Sequence, residues 1–279
     1  GAALAEEPAA QAPVTETAQG EPGYDVPAAT IPEPSALADT DMLGFVVYRG
    51  SVYFQAEEYG TEDTWELGEL VGDYLGRASC VVDEWSGDPA GGPSGEEALY
   101  SNLSGEVFTV QGYDPDFRIC IRWQWEDPDG TAHLRVQFFE HLNGIRLTVG
   151  AELFESRLRL SGRVAELACQ SLSDWRDSTG ITQRVELEED VWTGFLDALD
   201  AGLFLDDNEP AVQNVIDSLY RNDNRVFLLL TMTDGTAVRL QLFEGGYVGY
   251  FTYEGRFLVR LPMGAFDPVF EACGGMPSA

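Results

Sequence analysis

Asp234-Gly-Thr-Ala-Val-Arg-Leu-Gln-Leu-Phe-Glu244 reads as a strand entered from a tight turn, and Asp129-Gly-Thr-Ala-His-Leu-Arg-Val-Gln-Phe-Phe-Glu140 reads as an earlier copy. Both open on Asp-Gly-Thr-Ala, alternate apolar with polar residues, and close on Phe-Glu. They lie about a hundred residues apart, a spacing that suggests a domain-sized repeat. The parallel extends outward. An apolar strand enters each turn, at 117–125 and 225–233. Downstream of each copy comes an Arg-bearing strand, 154–160 and 253–261, and then a helix-like run ending in a cysteine, Cys169 and Cys273. The strands alternate instead of running continuously apolar, which predicts antiparallel pairing. The expected fold class is α+β: a tandem repeat of two similar units, each a mostly meandering antiparallel sheet with helices packed on one face.

Composition sets the boundaries. The chain has 279 residues, enough for two domains of ordinary size. Residues 1–40 are rich in Ala, Pro, Glu and Thr; Pro8, Pro13, Pro22, Pro27, Pro32 and Pro34 interrupt any helix or ladder. This stretch reads as a disordered tether without a core of its own, followed by unit one over 41–173 and unit two over 174–279. Asp and Glu number 48 against 16 basic residues, all of them arginine, for a formal charge of −32. Such acidity argues against nucleic acid and anionic membrane surfaces, since phosphate binding needs clustered cations. No run approaches the roughly 20 apolar residues of a spanning helix. A tethered, lysine-free, acidic body is expected outside the cytoplasm, at the cell surface, anchored through an N-terminal segment removed upstream of Gly1, in the manner of a bacterial lipoprotein.

Taken in order, 44–48 and 51–55 flank Arg49-Gly50, a two-residue hairpin turn. Thr64 caps an expected helix over 64–76, with Leu67, Leu70, Val71, Tyr74 and Leu75 on one face; Gly60, Gly68, Gly72 and Gly76 oppose it. Strands are expected over 80–85, 106–111 and 117–125, the last with Ile119, Ile121, Trp123 and Trp125 facing one way. Asn143-Gly144 is the strongest short hairpin signal, leading into strand 145–149. A helix is expected over 163–172. Unit two reads as a short strand at 185–187, helices over 189–201 and 210–220, a meander over 225–261, and a closing helix over 264–273.

Candidate chemistry is sparse. The only histidines, His133 and His141, sit on or at the end of one expected strand, and no GxSxG, nucleotide-binding or EF-hand pattern occurs. No catalytic residue, cofactor or metal ligand is assigned. Cys80, Cys120, Cys169 and Cys273 show no CxxC spacing; they allow two disulfides or buried free thiols. Equivalence of Cys169 and Cys273 in the repeat predicts that they are not joined to each other, leaving Cys80–Cys120 as the expected bridge. Trp123 and Trp125 could form a platform for sugar or peptide, but their side is shared with Ile119 and Ile121 and reads as core. The turn that unit one has and unit two lacks is Gly112-Tyr-Asp-Pro-Asp116, so Tyr113, Asp116 and Arg118 are the candidate ligand contacts. The expected function is a non-enzymatic binding or sensing module for a surface protein, peptide or glycan, with the site where the units meet. The alternative is a hydrolase of surface glycan or peptide using a carboxylate pair.

Overall fold

The computed structural model of the chain describes residues 23–30, 44–56, 66–80, 99–101 and 103–276. A short ribbon pairs β1 (Tyr24–Asp25) with β9 (Arg146–Leu147). A closed barrel is formed by β2 (Phe45–Tyr48), β3 (Ser51–Gln55), β4 (Val71–Cys80), β5 (Tyr100–Ser101), β6 (Gly105–Val110), β7 (Arg118–Glu126) and β8 (Ala132–Glu140), in the order β2-β3-β8-β7-β6-β4-β5. An open sheet contains β10 (Val164–Ser171), β11 (Gln183–Val185), β12 (Arg225–Met232), β13 (Ala237–Phe243), β14 (Tyr247–Phe251) and β15 (Arg256–Arg260), in the order β11-β10-β12-β13-β14-β15. Four α-helices accompany them among the described residues: α1 (Leu172–Arg176), α2 (Glu189–Ala201), α3 (Pro210–Arg221) and α4 (Met263–Ala272). The fold is therefore α+β, dominated by antiparallel pairing; β4 and β5 pair in parallel. No helix among the described residues is long and apolar enough to cross a membrane.

The two Asp-Gly-Thr stretches build the same turn, bond for bond. In the β7–β8 hairpin Gly130 N donates to Asp127 O and Asp127 N to Thr131 O, both at 2.8 Å, while Thr131 N donates to Asp129 Oδ1 at 2.9 Å. In the β12–β13 hairpin Gly235 N donates to Met232 O at 2.9 Å, Met232 N to Thr236 O at 2.8 Å, and Thr236 N to Asp234 Oδ1 at 3.0 Å. Gly130 and Gly235 have φ of 86° and 82°, where a side chain would be strained. The Asp carboxylate accepts the amide two residues on. The tetrapeptide is what this turn requires chemically.

Alternation along β7 sorts its side chains into two environments. Ile119 and Ile121 cluster with Val46, Tyr53, Val107 and Phe139, one face of the barrel strands. Cys120 points the other way and shares the largest apolar cluster with Phe108, Val136 and Phe138, and with Leu228, Leu230, Leu240 and Val248 of the open sheet. The barrel and the sheet are thus joined by one continuous core. Phe195 and Leu199 of α2 and Phe266 and Phe270 of α4 enter that cluster, whereas Ile216 of α3 packs with Phe243 and Leu258 in another.

Much of the expected element order is present. Arg49-Gly50 turns β2 into β3 with φ of 50° and 80°, and the meander, α2, α3 and α4 lie within a few residues of their expected positions. Expected strand 80–85 lies almost entirely outside the described residues. The expected helix at 64–76 is instead a 3-10 turn over Glu66–Leu70 followed by β4. Gly72 serves strand packing: a Cβ there would collide with Thr109 of β6. The expected helix over 163–172 is strand β10, whose Leu167 and Cys169 alternate toward the core opposite Leu230 and Leu228. Only at Leu172 does a helix begin, capped by Ser171 Oγ accepting from Asp174 N. Asn143-Gly144 does not close a hairpin. The chain continues to β9, which pairs with β1, and 150–162 packs as turns burying Leu153, Phe154, Leu158 and Leu160. The shared order of the two stretches therefore ends with the hairpins. Tyr24 and Val26 are buried in the main core, so part of the expected tether is docked; a two-residue strand leaves no periodicity to read.

The expectation that Cys169 and Cys273 remain apart is overturned. They form a disulfide with a Cα–Cα distance of 5.4 Å, spanning 104 residues. The error follows from reading β10 as a helix: Cys169 lies on a strand and Cys273 caps the end of α4, so the two are partners and not equivalents. Cys120 is a buried free thiol, which excludes a Cys80–Cys120 bridge. Closing so long a loop restricts the unfolded chain, so Cys169→Ser is expected to lower unfolding free energy by about 3 kcal/mol. Urea unfolding of wild type and variant under non-reducing conditions measures it; equal midpoints would contradict the bridge.

Candidate functional site

Of the three sequence candidates, Tyr113 and Arg118 lie at the joint between barrel and sheet and Asp116 lies on the exposed turn beside it. Arg118 is 4% exposed. Its Nη2 donates to Glu140 Oε1 on the adjacent strand, and the other oxygen, Oε2, accepts from Tyr250 Oη of β14 at 2.7 Å. Tyr113, also buried, lies under Arg118 with the guanidinium carbon 4.2 Å from its ring centroid. Its hydroxyl donates to Asp234 Oδ2 at 3.2 Å and lies 3.1 Å from Thr236 Oγ1. Arg163 Nη2 donates to the same Asp234 oxygen. The second Asp-Gly-Thr turn is thus docked onto Tyr113, while Asp129 of the first is exposed. Asp116 is exposed on its turn, with its N donating to Asp114 Oδ1 at 2.9 Å. Tyr113 and Arg118 are brought together as parts of an internal joint; Asp116 stands outside it.

The electrostatics follow from burial and pairing. Burial works against charge on Arg118, but Glu140 outweighs it and holds the guanidinium more basic than usual. Burial, reinforced by Glu140, pushes the Tyr250 hydroxyl well up, so it stays a donor. Burial also opposes charge on Asp234, yet hydrogen bonds from Thr236 and the Arg163 charge hold its carboxyl below the usual range.

A further carboxylate, Glu254, belongs to the β14–β15 turn. Its Oε1 accepts from Leu142 N and Asn143 N, each at 2.8 Å, and from Asn143 Nδ2 at 2.6 Å. Asn143 in turn donates to Val52 O at 2.8 Å and accepts from Ala29 N at 3.1 Å. Here the Asn-Gly pair serves as a clasp between barrel, sheet and N-terminal segment. Burial, with a contribution from Glu140, pushes the Glu254 carboxyl from 4.5 up to about 7 against those hydrogen bonds. Sequence reasoning passed over Glu140, Tyr250, Asn143 and Glu254. The available signal was the glutamate closing an otherwise buried strand, Phe138-Phe-Glu140.

The second feature is the outer half of the β7–β8 hairpin. β6 pairs with β7 up to Arg122, beyond which Trp123–Glu126 pair with β8. Trp123 stands opposite Arg135, and Trp125 opposite His133. The face that buries Ile119 and Ile121 completely therefore emerges into solvent: Trp123 is half-buried and Trp125 is 45% exposed. The Trp125 and His133 rings stack, with centroids 5.1 Å apart and planes at 13°. Asp127 Oδ2 lies 2.9 Å from His133 Nε2, and Arg135 sits 5.9 Å from the Trp123 ring. Trp123 Nε1 donates to Ser104 O at 2.7 Å, fixing its plane. An exposed, ordered row of indole and imidazole can stack on the apolar face of a sugar or on a peptide side chain. The reading of Trp125 as core is corrected: the ribbon outruns its covering strand. Among the described residues no group of three or more His, Cys, Asp or Glu is placed to hold a metal ion.

The Glu254 environment has a pH consequence. A carboxyl raised on folding contributes stability fully present below about 4.5 and lost as pH rises through about 7. Glu254→Gln keeps an acceptor oxygen without the charge. Between pH 4.5 and 8, wild type is expected to lose up to about 3 kcal/mol relative to E254Q. Parallel pH profiles of the two in urea unfolding would contradict this.

Compared with known proteins, the chain matches no family model, no curated protein sequence and no solved structure.

Proposed function

We propose that this chain is a non-enzymatic extracytoplasmic binding module, held on a tether at the cell surface, that engages a glycan or peptide through the outer half of the β7–β8 hairpin. The exposed, stacked Trp125–His133 pair carries the reading. Stacked, ordered aromatic rings at the surface provide planar contact with few torsions to freeze. The Cys169–Cys273 bridge supports the location, since such bonds persist in oxidising compartments. A duplication also belongs to this proposal as the origin of the two hairpins, one spent on the internal joint and one left free as the binding arm. Their matching turns support it.

A hydrolase using a carboxylate pair is the second reading, favoured by the raised Glu254 carboxyl and the influence of Glu140 on it. Against it, both Glu140 oxygens are bonded within the joint and the residue is buried. Binding to arrayed surface glycans and peptides tests the proposal. Trp125→Ala is expected to weaken binding at least tenfold, while stability, as for most surface substitutions, changes by about 0.5 kcal/mol or less. Unchanged binding by W125A would sink the arm as the site. Turnover of an arrayed glycan or peptide that E254Q abolishes would install the hydrolase instead.

A further inference from the structure

Among the described residues two arginines are buried, Arg118 and Arg225, and they differ in their partners. Arg118 has Glu140, and the half-buried Arg163 has Asp234, although one nitrogen on each lacks a partner. Arg225, the first residue of β12, is 7% exposed and makes no ion pair among the described residues; its Nε and Nη1 are buried with no hydrogen-bond partner. The guanidinium carbon lies 4.8 Å from the Tyr220 ring and 5.9 Å from that of Phe243, so its flat faces are covered by aromatics while its N–H edge is unmatched.

Carboxylates flank it but are engaged elsewhere. Asp223 accepts from Arg176 Nη2 at 2.9 Å, and Glu244, beside the cross-strand partner Phe243, accepts from Asn222 Nδ2 at 2.8 Å. Burial and the Arg176 charge at the end of α1 oppose the charge on Arg225, while Asp223, bonded to Arg176, is near enough to attract it without bonding it. The corner is fixed: Asn224 Nδ2 donates to Met276 O at 2.6 Å, and Met276 N donates back to Asn224 Oδ1 at 3.1 Å. A buried guanidinium whose N–H groups are left unbonded is unfavourable. In a chain with 48 acidic residues, a partner carboxylate was an easy substitution away.

We propose that Arg225, with Arg176 beside it, is an oxyanion-binding site that takes a single carboxylate or phosphate group of a small ligand. The fork of guanidinium N–H groups matches two oxygens of either, and aromatic walls strengthen the contact by excluding water. The site shares no residue with the Trp125 arm, so it neither rests on that assignment nor falls with it.

The test uses the full chain. Thermal unfolding and calorimetric titration are run with sodium phosphate and with sodium acetate, against sodium chloride at equal ionic strength. Saturable stabilisation by phosphate alone assigns a phosphorylated ligand; saturation by acetate as well assigns a carboxylate. Arg225→Met is expected to weaken binding at least tenfold. In chloride buffer it should be no less stable than wild type, because a buried guanidinium with unbonded nitrogens has been replaced by an apolar side chain. Arg176→Gln, on the exposed partner, should weaken binding several-fold while leaving the melting temperature in chloride unchanged, which keeps the test valid if R225M fails to fold. No saturable response to either anion overturns the proposal, and so does wild-type binding by both variants. Folded R225M clearly less stable than wild type in chloride would make the guanidinium structural and overturn it too.

Discussion

The Arg118–Glu140 pair is the constraint on which the arrangement depends. A guanidinium 4% exposed remains acceptable only while its counter-ion is in place, and that counter-ion needs its second oxygen satisfied. Tyr250 satisfies it from the other sheet. Separating barrel from sheet would therefore break the Tyr250–Glu140 bond and leave an acceptor of the ion pair unsatisfied, a cost of about 1–3 kcal/mol. The apolar core supplies the bulk of the attraction but little sense of direction. The polar joint supplies orientation: Arg118 to Glu140 to Tyr250 on one side, Tyr113 to Asp234 to Arg163 on the other, with the Asn143–Glu254 clasp at the edge.

One local motif is put to two uses. The Asp-Gly-Thr turn is self-contained, because its aspartate and glycine satisfy the demands of the bend whatever lies around it. That independence lets one copy sit in solvent and the other dock onto Tyr113. It also explains why a long stretch of similar sequence overstated the similarity. After Glu140 the chain turns to β1, whereas after Glu244 the Gly245-Gly246 turn, with φ of 89° and 88°, sends it straight back as β14.

Legibility in the sequence tracked how local the determining physics was. Turns fixed by glycine conformation, the β12–β15 meander, and helices with an apolar stripe, such as α2, could be read directly. β4 and β10 could not, since their short apolar spacings fit a helix as well as a strand. Only neighbours far along the chain decide between them, Thr109 pressing on Gly72 and Leu228 facing Cys169. The site showed the same division. Tyr113 and Arg118 stood out as a distinctive cluster, but their burial depends on Tyr250 and Asp234, more than a hundred residues away. Opposition of Trp125 to His133 follows from the hairpin register alone; the exposure of that rung depends on where β6 stops.

The Cys169–Cys273 bond also determines how the molecule would carry mechanical load. It links a strand at the start of the sheet to the end of the last helix, enclosing the rest of β10, all of β11 to β15 and all four α-helices in a covalent loop. Tension entering through the chain before Cys169 and leaving after Cys273 runs across the sulfurs and leaves the enclosed polypeptide slack. Among the described residues the barrel has no such bypass. A pull on the chain would be borne first by the barrel and by β1 on β9, with the sheet as the part that keeps its shape.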